Sequence, residues 1–231
     1  MAHYRVLLLD ADGTLFDYDR AESHAFAATC ADLSLHYREA DHLPAYRRIN
    51  SELWRALERG EVDQATLAVE RFIRVLEEMG QEADASVMAD RYLAHLGRGS
   101  FLLPDALDVV RMLSERADLV LLTNGLSRVQ RSRFADSGLA AYIPHLVISD
   151  EVGFRKPEPE IFDIALKPFD GVDRSQVLMV GDSLSSDILG GARYGIDTCR
   201  LNLEGRENLD GPEPTYEIRE LMELPSLVQS Q

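Results

Sequence analysis

The stretch Arg5-Val6-Leu7-Leu8-Leu9-Asp10-Ala11-Asp12-Gly13-Thr14 decides how this chain reads. Val6 to Leu9 is an uninterrupted apolar run, the pattern of a strand buried on both faces in a helix-covered parallel sheet. The run ends in two acids spaced i and i+2. Carboxylates so placed at a strand end can both approach one reacting centre. An ionised Asp10 can attack phosphorus and give an aspartyl-phosphate. A second carboxyl, Asp12, can protonate the leaving oxygen and then activate water. Gly13 lets the chain turn sharply away. The competing reading is an Asp-Gly turn without chemistry.

Working outward, similar runs recur at Leu119–Leu122, Leu146–Ile148 and Val177–Val180, with a fifth at Thr198–Leu201. The first four close on polar residues: Asp10, Thr123, Ser149, and Asp182 after Gly181. Helical patterns separate the runs from Leu119 onward, which predicts right-handed βαβ crossovers and an α/β, Rossmann-like, doubly wound parallel sheet. Ligands of such sheets bind beyond the carboxyl ends of the strands, so these polar residues should converge on one edge.

From about Asp19 to Gly97 no strand pattern appears. Ile49, Leu53 and Leu57 repeat at helical spacing, as do Val69, Phe72, Leu76 and Met79. Gly60 and Gly80 stand where helix C-caps are expected. The stretch reads as a bundle of about four helices inserted after the first strand, with Trp54 and Phe72 in its core. The division expected is a core domain of residues 1–17 and 99–231 and a helical domain of 18–98. After Asn202 the chain turns loop-rich, with one short amphipathic helix around Ile218 to Leu224.

Three further clusters carry chemistry. Thr123-Asn124-Gly125 closes the second run, and a hydroxyl with backbone N–H groups at a strand-to-helix junction suits phosphate oxygens. Ser127 is placed to cap the helix that follows. Lys156-Pro157 reads as the start of another helix, Pro157 fitting its first turn. A lysine there can neutralise a phosphoryl group, against the ordinary reading of a solvated surface lysine. Gly181-Asp182-Ser183-Leu-Ser-Ser186-Asp187 follows the fourth run. Mg2+ favours hard oxygen ligands, which Asp182 beside Asp10 can supply, and Asp182, Ser183 or Ser185 can also cap a helix.

Composition sets outer bounds. The 231 residues are 45% hydrophobic and 28% charged, as in a folded globular chain. A net charge of −16 disfavours nucleic acid and anionic membrane surfaces as partners. Two distant cysteines, Cys30 and Cys199, suggest buried reduced thiols rather than a disulfide framework or zinc site. The apolar run before Asp10 is too short for a signal-peptide core, and no stretch reaches membrane-spanning length, so a cytoplasmic protein is expected.

With DADGT at 10–14, TNG at 123–125, KP at 156–157 and GDSLSSD at 181–187, the sequence resembles the haloacid-dehalogenase-like (HAD) hydrolase superfamily along essentially its whole length. The resemblance implies that Asp10 is the nucleophile and a Mg2+ ligand. Asp12 would be the general acid/base, its main-chain carbonyl also facing the metal. Thr123, the Asn124 amide, Gly125 and Lys156 would hold the phosphoryl group, and Asp182 would bind Mg2+. Asp187, with Ser183 beside it, would orient metal-bound waters or Lys156. The helical insert resembles the family's α-helical cap, which closes over the site.

A closer similarity is to the noncanonical pyrimidine 5′-nucleotidases. It rests on Tyr46–Trp54, Glu58–Glu61, Ile148–Gly153, Ser183–Gly191 and Pro214–Arg219. It implies a small phosphate ester as partner, a nucleoside monophosphate, and a chain working as monomer or homodimer. Tyr18, Asn50 and Trp54 are conceivable contacts to the leaving group. A phosphoglycolate or sugar-phosphate phosphatase would share all four motifs. A haloacid dehalogenase would need neither Asp12 nor Asp182. A non-catalytic binding module on this fold should have lost one of Asp10, Asp12, Lys156 or Asp182, and all four are present.

Overall fold

The computed structural model describes residues 4–208 and 211–228. Six strands, β1 (Val6–Leu9), β2 (Asp118–Thr123), β3 (His145–Ile148), β4 (Val177–Gly181), β5 (Asp197–Leu201) and β6 (Tyr216–Ile218), form one sheet in the order β3-β2-β1-β4-β5-β6. Every pairing is parallel, and Leu8 at the centre stands between Val120 of β2 and Met179 of β4.

Nine helices accompany the strands among the described residues: α1 (Tyr18–Asp32), α2 (Glu39–Glu58), α3 (Gln64–Met79), α4 (Ala85–Arg98), α5 (Ala106–Ser114), α6 (Ser127–Asp136), α7 (Ser149–Val152), α8 (Pro159–Leu166) and α9 (Leu189–Tyr194). The two-residue period of the strands divides the core in two. Leu7, Leu9, Leu119, Leu121, Leu178 and Val180 pack with Val109, Val110 and Leu113 of α5. Val6, Leu8, Val120, Leu122, Val177 and Met179 pack with Ile161, Phe162 and Ala165 of α8. Both faces of the central strands are thereby covered, which is why these strands read as unbroken apolar runs. Each fully buried aliphatic side chain contributes about 1.5–3 kcal/mol. β1 connects to β2 on one side, while β4 lies on its other side. The reversal of strand order therefore falls between β1 and β4, at the ends that carry Asp10 and Asp182.

The chain separates into two compact units, one made of residues up to Tyr18 and from Ser100 onward, the other of Asp19–Gly99. The second unit is the four-helix stretch. Its core stacks Phe26 on Tyr46 (4.5 Å between centroids), Tyr46 on Phe72 (5.7 Å) and Phe72 against Tyr92 (5.3 Å). Asp63 caps α3 through Thr66 N–H, Asp84 caps α4 through Ser86 N–H, and Gly80 ends α3 at φ +63°. Asn50 is buried with its amide used on both sides, donating to Glu22 and accepting from Arg71. Trp54 departs from the expected core placement, since it is only half-buried. Cys30 and Cys199 are free, buried thiols whose pKa values burial pushes up to about 11 and about 12.

Three local expectations are corrected. Ser127 does not cap α6: it is the first helical residue. Its N–H donates to Asp150 Oδ2 (2.9 Å) and its hydroxyl to Glu151 Oε1 (2.5 Å), so a neighbouring acid satisfies the helix start. α8 begins at Pro159, not Pro157. Pro159 takes the first helical position, and the residue before it, Glu158, is held extended (ψ 135°). The segment around 218 pairs as edge strand β6, followed by a 3₁₀ turn at Leu221–Ser226.

Candidate active site

Asp10 still belongs to the sheet, its N–H donating to Val180 O of β4 (2.9 Å). The chain then curls tightly, with Leu15 and Phe16 N–H both falling on Ala11 O (2.9 and 2.8 Å). Gly13 sits at φ +82°, where a Cβ is disfavoured. A Cβ there would also lie 2.7 Å from Asp182 Oδ2. Gly13 therefore lets the turn form and lets Asp182 approach it.

Lys156 is held by its backbone and by its ammonium. Asn124 brackets its main chain, Nδ2 donating to Lys156 O and Oδ1 accepting from Lys156 N, each at 2.8 Å. The loop is thus fastened to the end of β2, and the Asn124 side chain is spent on that fastening. The Lys156 ammonium, 1% exposed, lies 2.5 Å from Asp10 Oδ1, 2.8 Å from Leu122 O and 2.7 Å from Asp187 Oδ1. Its three donors match three acceptors.

After β4, Ser183 caps a wide π-type turn (Leu184–Ile188) by accepting from Ser186 N–H at 3.3 Å. Asp187 Oδ2 accepts from Ser183 N–H (3.1 Å) and lies where a Cβ on Gly181 would be, 2.2 Å away. Asp10, Asp182 and Asp187 each bring an oxygen within 4.8 Å of the others. Asp187 spends one oxygen on Lys156 and the other on Ser183 N–H, whereas among the described residues Asp10 Oδ2 meets only the Thr14 hydroxyl at 3.3 Å, so Asp10 and Asp182 are the donors best placed for a cation. Three carboxylates facing one ammonium leave an excess of two negative charges, and hard oxygen donors with that excess fit a divalent ion such as Mg2+.

The electrostatics show the same imbalance. Burial pushes the Asp10 carboxyl up, the Lys156 charge pulls it back, and the charges of Asp187 and Asp182 push it up again; it stands well above its ordinary value. Asp182 is an exposed residue. Yet the loss of hydration around its carboxyl, and next the charge of Asp187, raise it to about 7. Burial works against the Lys156 charge, but Asp10 and Asp187 outweigh it and hold that ammonium above its ordinary pKa.

Asp12 takes a different direction from the other three acids. Its Oδ2 accepts from Gln130 Nε2 (2.6 Å) and its Oδ1 from the Arg133 guanidinium, both on α6. Sequence reading missed Gln130 and Arg133, because α6 is mostly polar, with Val129 and Phe134 its only large apolar residues, and reads as a solvated helix. The available signal was their i, i+3 spacing directly after Thr123-Asn124-Gly125. Thr123 is buried, its hydroxyl oxygen accepting from Gly125 N–H (3.1 Å).

Residues 4–195 match the family model of haloacid dehalogenase-like hydrolases. The chain belongs to that family. It is 36% identical to the HAD-hydrolase YfnB of Bacillus subtilis over 97% of this chain and 95% of YfnB. It is 35% identical to the pyrimidine 5′-nucleotidase PynA of Streptococcus pneumoniae (96% and 93%) and 34% identical to the pyrimidine 5′-nucleotidase YjjG of Escherichia coli (96% of each). A crystal structure of YfnB bound to magnesium superposes with a TM-score of 0.93, covering 98% of this chain and 99% of that one. The fold is the HAD-like hydrolase fold, and among the described residues no helix is long and apolar enough to cross a membrane.

Proposed function

We propose that this hydrolase is a Mg2+-dependent phosphate monoesterase, a pyrimidine nucleoside 5′-monophosphate phosphatase that works through an aspartyl-phosphate on Asp10. The observation that carries the reading is the pairing at the tip of β1. A buried carboxylate is salt-bridged to a buried lysine, with a second acid two residues on and an acidic partner, Asp182, on the adjacent strand end.

In this reading an Asp10 oxygen bonds to phosphorus as the ester P–O bond breaks, and Asp12 gives its proton to the departing alcohol oxygen. Asp12 then takes a proton from water, whose oxygen attacks phosphorus and frees inorganic phosphate and the Asp10 carboxylate. Lys156 offsets charge beside the nucleophile, while the Thr123 hydroxyl and the Asn124 main-chain N–H are the donors for phosphoryl oxygens. Asp187 keeps Lys156 in place. Asp10 and Asp182, with the main-chain carbonyl of Asp12, would hold Mg2+, which when bound offsets the negative charge of the phosphoryl group.

PynA and YjjG, each about a third identical over nearly the whole chain, support the pyrimidine nucleotide as substrate. The magnesium in the YfnB crystal structure supports the cofactor. The dehalogenase of Xanthobacter autotrophicus shares the fold at a TM-score of 0.77 but only 21% identity. The presence of Asp12 and Asp182 favours phosphoryl chemistry over dehalogenation. The test is phosphate release from a panel of pyrimidine and purine nucleotides, phosphoglycolate and sugar phosphates, with Mg2+ and with EDTA. Mg2+-dependent release fastest from UMP, dUMP or dTMP is expected. Fastest release from a sugar phosphate or phosphoglycolate would overturn the substrate, and equal release in EDTA would overturn the cofactor.

A further inference from the structure

A carboxyl that must give and then take one proton works best when its orientation is fixed. The tight turn after β1 fixes only the backbone of Asp12. Its carboxylate is fixed from α6, where Gln130 holds one oxygen and Arg133 the other. The two donors are three residues apart on α6, so they share one helix face. A carboxylate oxygen has two lone pairs. Among the described residues, one donor on each oxygen sets the plane of the group and leaves each oxygen a lone pair for the transferred proton.

The fit around this contact is close. Arg133 is fully buried, with its guanidinium 4.5 Å over the Phe16 ring. Phe16 forms a backbone bridge with Asp12. Ring, guanidinium and carboxylate therefore close on one another. Gln130 reaches Asp12 only because residue 125 is glycine: a Cβ there would stand 2.2 Å from Gln130 Nε2 and 2.7 Å from its Cγ.

Stability does not account for these residues. A buried ion pair gains little, because desolvation offsets the attraction. Gln130 is 1% exposed, and its Oε1 has no hydrogen-bond partner among the described residues, which costs stability. We propose that Gln130 and Arg133 are positioning residues for Asp12: α6 clamps the acid/base carboxylate in the orientation that proton transfer to and from the leaving oxygen requires. The proposal rests on the phosphatase reading of Asp12. It gives Gly125 a second purpose, admission of Gln130, beside its place in the phosphate-binding segment.

The experiment compares wild type, Gln130→Leu, Arg133→Met, Asp12→Asn and the double variant Gln130→Leu/Asp12→Asn, all with Mg2+. kcat/KM is measured on p-nitrophenyl phosphate, whose leaving group needs little protonation, and on a nucleoside 5′-monophosphate, whose leaving alkoxide needs it. Inhibition by inorganic phosphate reads the phosphoryl site separately. For Gln130→Leu, kcat/KM on the nucleotide should fall about tenfold and on p-nitrophenyl phosphate no more than about threefold. The inhibition constant for phosphate should stay at the wild-type value. The double variant should be no worse than Asp12→Asn, because the clamp has nothing left to hold.

Equal losses on both esters, losses that multiply with Asp12→Asn, or wild-type kinetics in Gln130→Leu would overturn the clamp while leaving the phosphatase reading intact. If Arg133→Met fails to fold, Gln130→Leu, alone and combined with Asp12→Asn, carries the test. Unchanged kinetics in Asp12→Asn, or a wild type that hydrolyses neither ester, would overturn the acid/base reading itself and the clamp with it.

Discussion

Lys156→Met removes the ammonium at the centre of the site and keeps most of the side-chain volume. In the native protein that ammonium, 1% exposed, touches Asp10 at 2.5 Å and Asp187 at 2.7 Å, both buried. Losing one partner of a buried pair costs about 3–5 kcal/mol, because the remaining charge is left unpaired. For a chain of this size that corresponds to a fall in Tm of about 6–20 °C. The pH dependence has a defined sign. Lys156 has a raised pKa, so its contribution is fully present below the ordinary lysine range and is lost only as pH climbs through the raised value. Asp10 already stands above its ordinary value and rises further once the cation is gone. The penalty in the variant is therefore largest where the carboxylates are ionised, and it shrinks as falling pH protonates them. Thermal melts followed by circular dichroism, in EDTA, at pH 8 and pH 5.5, measure this. The gap between wild type and variant should be wide at pH 8 and narrower at pH 5.5. Equal Tm values at pH 8, or a gap that widens on acidification, would refute the view of Lys156 as the counter-charge of two buried carboxylates.

Gly13→Ala forces a Cβ into a left-handed conformation, at a cost of about 1–2 kcal/mol, and against the Asp182 carboxylate 2.7 Å away. Its Mg2+ dissociation constant should rise at least about tenfold with the metal-free Tm only modestly lowered, since 1.4 kcal/mol of lost binding is a factor of ten; a titration matching wild type would show that Asp182 does not need the close approach. Asp182, raised to about 7 without metal, must lose its proton to ligate. Mg2+ affinity by calorimetry should therefore climb as pH rises towards 7.5 and level off above it. The slope should be shallower in Asp182→Asn, where only Asp10 still competes for protons, and a flat profile in wild type would exclude proton competition at the Asp182 carboxyl.

The central sheet was legible because its inner strands are buried on both faces, so Val6–Leu9, Leu119–Leu122 and Val177–Val180 carry no polar interruption. Edge strand β6 was not, because Tyr216-Glu-Ile218 has three residues and only one fully buried apolar side chain. The helix starts at Ser127 and Pro157 were misplaced for a different reason. A cap is decided by which group reaches the first free N–H, and at α6 that group is Asp150, distant in sequence. Within the site, Asp10 and Asp182 were legible because each directly follows an apolar strand, and the sheet alone brings strand ends together, whereas Lys156 and Asp187 lie further along the connections after β3 and β4. Gln130 and Arg133 are 118 and 121 residues from Asp12, on a helix whose polar sequence matches an exposed surface. Only the three-dimensional course of α6 reveals what they hold. The close approaches at Gly13, Gly125 and Gly181 were hidden in the same way, since a glycine does not announce which side chain fills the space it leaves.

The claim that everything else depends on is covalent: phosphate passes through Asp10. The direct test is to mix Asp12→Asn with a nucleoside 5′-monophosphate and Mg2+, quench in acid, and map the protein by mass spectrometry, with Asp10→Asn as control. Loss of the second-step base should let the intermediate accumulate. The account predicts one added phosphoryl group on the peptide carrying Asp10, absent from the control, together with loss of turnover in an Asp10→Asn protein that still folds. Near-normal turnover by Asp10→Asn, or a phosphoryl group mapped to another residue, would contradict it.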